Sequence, residues 1–438
     1  MRKGFYTLLI AQALSSLADN ALFIAAIELL HQISGPQWLD SALKWFFAAA
    51  YVVLAAHIGA IADTFPKGRV MFVTNGIKIL GCIMMFAVGF LNSDSELLQP
   101  IMITLAYGLV GVGAAAYSPA KYGLVTELLH PKFLVRGNSW MEGLTVISII
   151  LGFMLGGFLI NHKFVNWVLS FGIFESFKDY PAMIAILFIG LIYISASICN
   201  LFIPRTKYIY PKQPKNPITL IKVFSNYVAI LWKDKVGQVS MAVTTLFWGA
   251  GAVVQLVVLK WGQDHLGFDV SESAFLMGIA AIGTVVGAVI AGRVPLKKAF
   301  NVLPVGVLMG LITILLIFVK QMWAVYIVLI FIGGLSGFFV VPMNAILQHR
   351  GHVLLSAGHS IAVQNFNEQL NILLFVALYG WLVHSGLHIN KIIVIFGLTV
   401  SALMYLLILL YKSNKNKYPE AFAEIGSRSH GKLAHKGH

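Results

Sequence analysis

Charge is scarce in this 438-residue chain: Asp, Glu, Lys and Arg make up 11% of it, and cysteine occurs only twice, at Cys82 and Cys199. Both cysteines fall inside apolar runs, so neither a disulfide framework nor a thiolate metal site is expected. Two further absences narrow the chemistry. No Gly-x-x-x-x-Gly-Lys-Ser/Thr segment is present to cradle a nucleotide phosphate, so ATP hydrolysis by the chain itself is not expected. None of the 13 histidines is followed five positions later by aspartate, so the imidazole base of an acyltransferase is missing. The sequence therefore points to no enzyme, no cofactor and no metal. The histidines of the tail, His430, His435 and His438, sit on a stretch with no preset geometry for an ion.

What the chain has instead is length in apolar runs. Hydrophobic residues make up 58% of it and its mean hydropathy is +0.83. A helix crossing a hydrocarbon core of about 30 Å needs roughly 20 mainly apolar residues. Stretches of that kind lie near 5–31, 42–62, 70–91, 100–118, 133–160 and 181–203, then 238–259, 273–292, 302–319, 323–347, 356–384 and 390–411. The expectation is an all-α polytopic membrane protein with about twelve transmembrane helices in two six-helix halves. The halves are residues 1–203 and 237–411, joined by a basic linker at 204–236 and followed by a disordered tail at 412–438. The N-terminal run begins like a secretory signal but continues past Asp19 without a small-residue cleavage site, and reads as an uncleaved first helix.

The net charge of +14 would suit nucleic acid, but its placement suggests another cause. With a cytoplasmic N-terminus, the inside segments hold 24 of the 31 Lys and Arg residues and the outside loops hold 6, which predicts both termini inside. The linker alone carries Arg205, Lys207, Lys212, Lys215, Lys222, Lys233 and Lys235, with four prolines in its first half. Across it, Gly59–Asp63 through Arg69 is echoed faintly by Gly287–Ala291 through Lys298, and paired halves of this sort face one another around a cavity.

Polar residues within spans are costly and mark water-filled routes or partners. Gln12, Ser15, Ser16 and Asp19 fall at i, i+3, i+4 and i+7 on one face of the first span, with Asn20 beside them. Glu28 points away from Asp19 and reads as a surface charge. In the fifth span Glu142 follows Asn138 and Ser139, while Gly152, Gly156 and Gly157 leave a smooth face for packing. Gln364, Asn365, Asn367, Glu368, Gln369 and Asn371 crowd two turns of the eleventh span, a density no lipid-facing helix would carry. Lys78 either finds a carboxylate or snorkels to an interface. Lys121 and Arg350 follow Pro119 and Pro342, which read as the ends of the fourth and tenth spans; there a cation can hold phosphate or close a gate.

Three strings carry a resemblance: Ala18–Leu22, Gly111–Gly123, and Gly337–Ala345 taken with Ile361–Asn365. They resemble the lysophospholipid transporter family of the major facilitator superfamily, over nearly the whole membrane region but not the tail beyond Lys412. The superfamily's loop pattern after the second span resembles Gly59, Asp63, Lys67, Gly68 and Arg69, with Gly68 displaced from its usual place. The resemblance implies movement of lysophosphatidylethanolamine and lysophosphatidylglycerol from the outer to the inner leaflet of a Gram-negative inner membrane. An acyltransferase/acyl-carrier-protein synthetase would re-acylate them there. For such a headgroup the residue types of Asp19, Asn20, Glu142, Gln364, Asn365 and Glu368, which offer carboxylates and amides, and of Lys121, which offers charge for phosphate, suit substrate contacts. Asp63, Lys67, Arg69 and Arg350 would act at the cytoplasmic gate, and Lys78 and Gln255 would be candidates for coupling or an ion pair. Relatives place a basic residue at the position of Gln255, where it could pair with the carboxylate matching Asp19. Its absence leaves Lys260, Lys78 or a bound cation as partners for Asp19. The rival readings are a proton-coupled exporter of drugs or metabolites and, more remotely, a lipid-modifying enzyme.

Overall fold

The computed structural model describes residues 3–88, 97–128, 134–172, 177–206, 216–355, 357–423 and 425. Every regular element among them is helical: α1 (Lys3–Gln32), α2 (Leu39–Thr64), α3 (Lys67–Val88), α4 (Leu98–Leu128), α5 (Leu134–Ile160), α6 (His162–Leu169), α7 (Ala182–Leu201), α8 (Pro217–Lys233), α9 (Lys235–Leu266) and α10 (Val270–Ala291) come first. A broken span follows, with 3-10 turns at Leu296–Val302 and Ile314–Phe318 around α11 (Leu303–Thr313). Then come α12 (Met322–Leu354), α13 (Ala357–His384), α14 (Ile389–Lys417) and α15 (Pro419–Ala423). Twelve helical segments, all but α6, α8 and α15, are long and apolar enough to cross a membrane, and the protein is a multi-pass membrane protein.

Two local features depart from the sequence reading. Pro119 and Pro342 lie inside α4 and α12, which run on to Leu128 and Leu354. A proline removes one intrahelical hydrogen bond but does not end a helix whose freed carbonyl is satisfied by neighbouring helices. The helix of the last span also continues past Lys412 to Lys417, where disorder was expected, and α15 adds five residues. Tyr411, inside that helix, stacks on Phe300 with ring centroids 4.7 Å apart. The tail histidines lie outside the described residues.

The chain divides into two compact units. One comprises 1–220, 252–278 and 372–387; the other comprises 221–251, 279–371 and 388–438. In the first unit α3 and α2 pack on α4, and α1 packs on α5 and α7. Small residues set those spacings. A side chain at Gly152 would lie 2.7 Å from the Leu17 carbonyl and from Asn20 Cβ, and one at Gly156 would lie 2.8 Å from the Ala21 carbonyl, so α5 presses directly against α1. In the second unit Gly283 and Gly287 of α10 meet Gly333, Gly334 and Gly337 of α12 in the same manner.

Candidate functional site

The polar stripe of α1 faces a cavity of about 220 Å³ inside the first unit. That is well above the roughly 15 Å³ a single water requires. Gln12, Ser15, Ser16, Asp19 and Asn20 all line it, joined by Lys78 from α3, Lys121 from α4 and Lys44 from α2. Aromatic rings from Phe23, Phe47, Tyr51, Tyr107 and Tyr117 complete its wall. The lining therefore mixes charged groups with aromatic faces.

Asp19 finds its partner in Lys78. The ammonium lies 2.8 Å from both carboxylate oxygens and donates a third hydrogen bond to Ser15 Oγ at 2.9 Å. An ammonium has three protons, so Lys78 is fully used. Tyr193 of α7 donates its hydroxyl to Asp19 Oδ1 at 2.6 Å, and Ser15 donates onward to Asn75 at 2.8 Å. Lys78 is 1% exposed and Asp19 is 19% exposed, so the lysine is sealed while an edge of the carboxylate meets the cavity. Close approach of α4 permits this: a side chain at Gly113 would lie 2.7 Å from Lys78 Cγ and 2.6 Å from the Thr74 carbonyl. Of the sequence alternatives, a buried carboxylate partner for Lys78 is the one realised, and Lys260 instead pairs with Asp264 at 3.0 Å and with Gln37 at 2.7 Å.

Asn20 donates to the Ser16 carbonyl at 2.8 Å, and Gln12 to Thr145 of α5 at 3.2 Å. Gln255 does not meet Asp19; it accepts a hydrogen bond from Lys44. Lys44, which the sequence reading did not single out, stands inside α2. Its ammonium also lies 4.4 Å from the centre of the Phe23 ring. The signal available was a lysine set within an otherwise apolar Leu43–Phe47.

The polar turns of α13 form a second cluster, in the other unit. Gln364 donates to Glu368 at 2.7 Å and to Asn344 of α12 at 3.1 Å. Asn367 accepts from Trp232 at 2.9 Å, and Asn371 donates to the Thr245 carbonyl at 2.9 Å. Asn365, one position past Gln364, is half-buried. The side chains of Glu142 and Asp63 lie outside the described set.

Two of the residues expected at a gate, Lys67 and Arg350, are held by acids the sequence reading did not single out. Lys67 pairs at 2.6 Å with Glu127, both nearly sealed from solvent, while Arg69 and Arg205 border a small pocket beside them. Arg350 engages Asp234 through Nε at 3.0 Å and through a second guanidinium nitrogen. The same carboxylate accepts the Gly237 backbone N–H at 2.7 Å at the start of α9. Glu28, read as a surface charge, accepts from Gln32 at 2.9 Å, and Gln32 in turn accepts the Ala182 N–H at the start of α7.

The Asp234 arrangement gives a direct expectation. Arg350→Lys keeps the charge but loses the two-pronged fork. It should lower the melting temperature of purified protein by several degrees, while Arg350→Gln lowers it further. Equal melting of all three proteins would show that the fork holds nothing in place.

Twelve membrane-crossing helices and a polar, partly charged cavity enclosed by five of them define a membrane transporter. A family model described as Major Facilitator Superfamily matches residues 8–374. The chain is 36% identical over 397 residues to the lysophospholipid transporter LplT of Escherichia coli O1:K1 / APEC, covering 90% of this chain and 92% of that protein. The LplT of Shigella boydii serotype 4 matches to the same extent. Among solved structures, a mutant of the nucleoside transporter NupG superposes with a TM-score of 0.65 at 13% identity, over 94% of this chain and 100% of that one. A bacterial homologue of the human lysosomal transporter Spinster gives 0.62 at 13%, over 95% and 97%. These structural likenesses establish the shared fold. The chain belongs to the lysophospholipid transporter (LplT) family of the major facilitator superfamily.

Proposed function

We propose that this protein is a lysophospholipid transporter that carries lysophosphatidylethanolamine and lysophosphatidylglycerol from the outer to the inner leaflet of a Gram-negative inner membrane, both termini being cytoplasmic. The observation that supports it most, beside the family, is the composition of the α1 cavity. A carboxylate edge at Asp19 suits an ethanolamine ammonium or glycerol hydroxyls, Asn20 adds an amide, and lysine at Lys121 suits phosphate. Moving such a headgroup through bare hydrocarbon would strip its charge of partners, a cost the polar cavity removes. The single acyl chain stays in lipid, the cavity opening sideways. Gln364, Asn365 and Glu368 would form a polar surface on the second half, and Asp63, Lys67, Arg69 and Arg350 the gate contacts. An acyltransferase/acyl-carrier-protein synthetase would consume the product on the cytoplasmic face.

The test is uptake of labelled lysophosphatidylethanolamine by spheroplasts that lack their own lysolipid transporter but retain the acyltransferase. Conversion to diacyl lipid only when this chain is expressed is the expected result. No difference, with the protein demonstrated in the membrane, would overturn the assignment and favour an exporter.

A further inference from the structure

Four cations within the described helices are held by carboxylates. Lys67 meets Glu127, Lys78 meets Asp19, Lys260 meets Asp264 and Arg350 meets Asp234. Lys44 meets none of the described carboxylates. Its contacts are the neutral amide of Gln255 and the faces of Phe23 and Phe153, at 4.4 and 6.0 Å from the ring centres. It nonetheless lies on the wall of the same cavity as Asp19.

An ammonium at membrane depth is expensive unless an anion answers it. An amide oxygen and two ring faces supply partial negative charge and leave the net charge uncompensated. Lys44 stands in this state at the wall of a ligand-sized cavity, where an arriving anion can answer it. Lys78 cannot serve in that way, since its three protons are all committed to Asp19 and Ser15. Lys44 donates one hydrogen bond, to the neutral amide oxygen of Gln255.

We propose that Lys44 joins Lys121, on the same cavity wall, in holding the phosphate of the transported lysophospholipid, with Gln255 as the neutral partner that keeps the Lys44 ammonium in place when the cavity is empty. This assignment rests on the lysophospholipid reading above and deepens it. The phosphate is the one anion that the ethanolamine and glycerol lysolipids share, so Lys44 would act on both alike. Headgroup discrimination would fall to the Asp19 side of the cavity. The aromatic rings beside Lys44 would take the glycerol and the first methylenes of the acyl chain. They also exclude water and so strengthen the ammonium–phosphate contact.

Equilibrium binding to the purified full-length protein in detergent tests this, with lysophosphatidylethanolamine, lysophosphatidylglycerol and a monoacylglycerol of equal chain length, which lacks phosphate. Lys44→Gln should weaken both lysolipids by about tenfold or more, the scale of a lost charge-assisted hydrogen bond, and leave the monoacylglycerol unchanged. Lys44→Arg should retain most of the affinity. Gln255→Glu should weaken both lysolipids as well, because it hands Lys44 a permanent anion. Melting temperature separates this role from a structural one: Lys44→Gln removes an unanswered charge and should melt no lower than wild type. Wild-type lysolipid affinity in Lys44→Gln, or a loss that extends equally to the monoacylglycerol, would overturn the assignment alone. A wild-type protein that binds neither lysolipid better than the monoacylglycerol would overturn the functional reading and the assignment with it.

Discussion

Replacing Asp19 with Asn is expected to abolish lysolipid uptake and to lower the melting temperature, both through Lys78. The lysine is sealed and donates two of its three hydrogen bonds to that carboxylate. Removing one member of a buried pair leaves the other charge without an answer, at about 3–5 kcal/mol. Lys78→Gln should lower the melting temperature for the converse reason, since the carboxylate keeps only Tyr193 and the edge open to the cavity. The double variant Asp19→Leu/Lys78→Met separates the pair's two roles. Replacing both ions with apolar groups of similar volume is often neutral for stability, so much of the melting temperature should return. Transport should not return, because the carboxylate proposed to meet the headgroup is gone. Normal uptake by Asp19→Asn, or by the double variant, would remove Asp19 from the transport path.

The second large effect comes from a residue with no side chain. At Gly113 even a methyl group would stand 2.6 Å from the backbone carbonyl of Thr74 and 2.7 Å from Lys78 Cγ. The carbonyl is held in its helix and cannot turn aside, so α3 and α4 must separate or Lys78 must move off Asp19. Overpacking of this kind costs about 1–3 kcal/mol. Gly113→Val should therefore cost both stability and uptake. Gly76, on the facing helix α3, is the control: nothing lies within 4 Å of a side chain added there. Gly76→Ala should melt at or above the wild-type temperature, because alanine is the better helix former by about 1 kcal/mol. Wild-type melting of Gly113→Val would show that the close contact is not obligatory.

Gly113 also explains part of the string that carried the family resemblance. In Gly111–Gly123 the first glycine lets α2 approach, a side chain there standing 2.7 Å from Phe47 Cα, and the second, Gly113, leaves room for Lys78. The string reads as a signature because two neighbouring helices press into it.

The twelve spans, the all-helical class and the polar stripe of α1 were legible in the sequence because each is written in adjacent residues: a length of apolar chain, or a spacing of three and four along one helix. The same locality misled at Pro119 and Pro342. A proline looks like a terminus along the chain, whereas the neighbouring helices allow the turn to continue.

What spacing could not decide is which charge answers which. Asp19 and Lys78 are 59 residues apart and Lys44 and Gln255 are 211 apart. Counting along the chain left three partners open for Asp19 and did not single out Lys44. The pairing is settled by how closely the backbones approach at glycines on different helices and by which side chain then reaches the carboxylate first, and these are properties of the packed bundle. The sequence alone determined that this chain crosses the membrane many times with a polar interior. Only the tertiary structure decided that Lys78 is bound to Asp19 and that Lys44 contacts an amide and two aromatic rings, because Coulomb pairing depends on distance in space and not on separation along the chain.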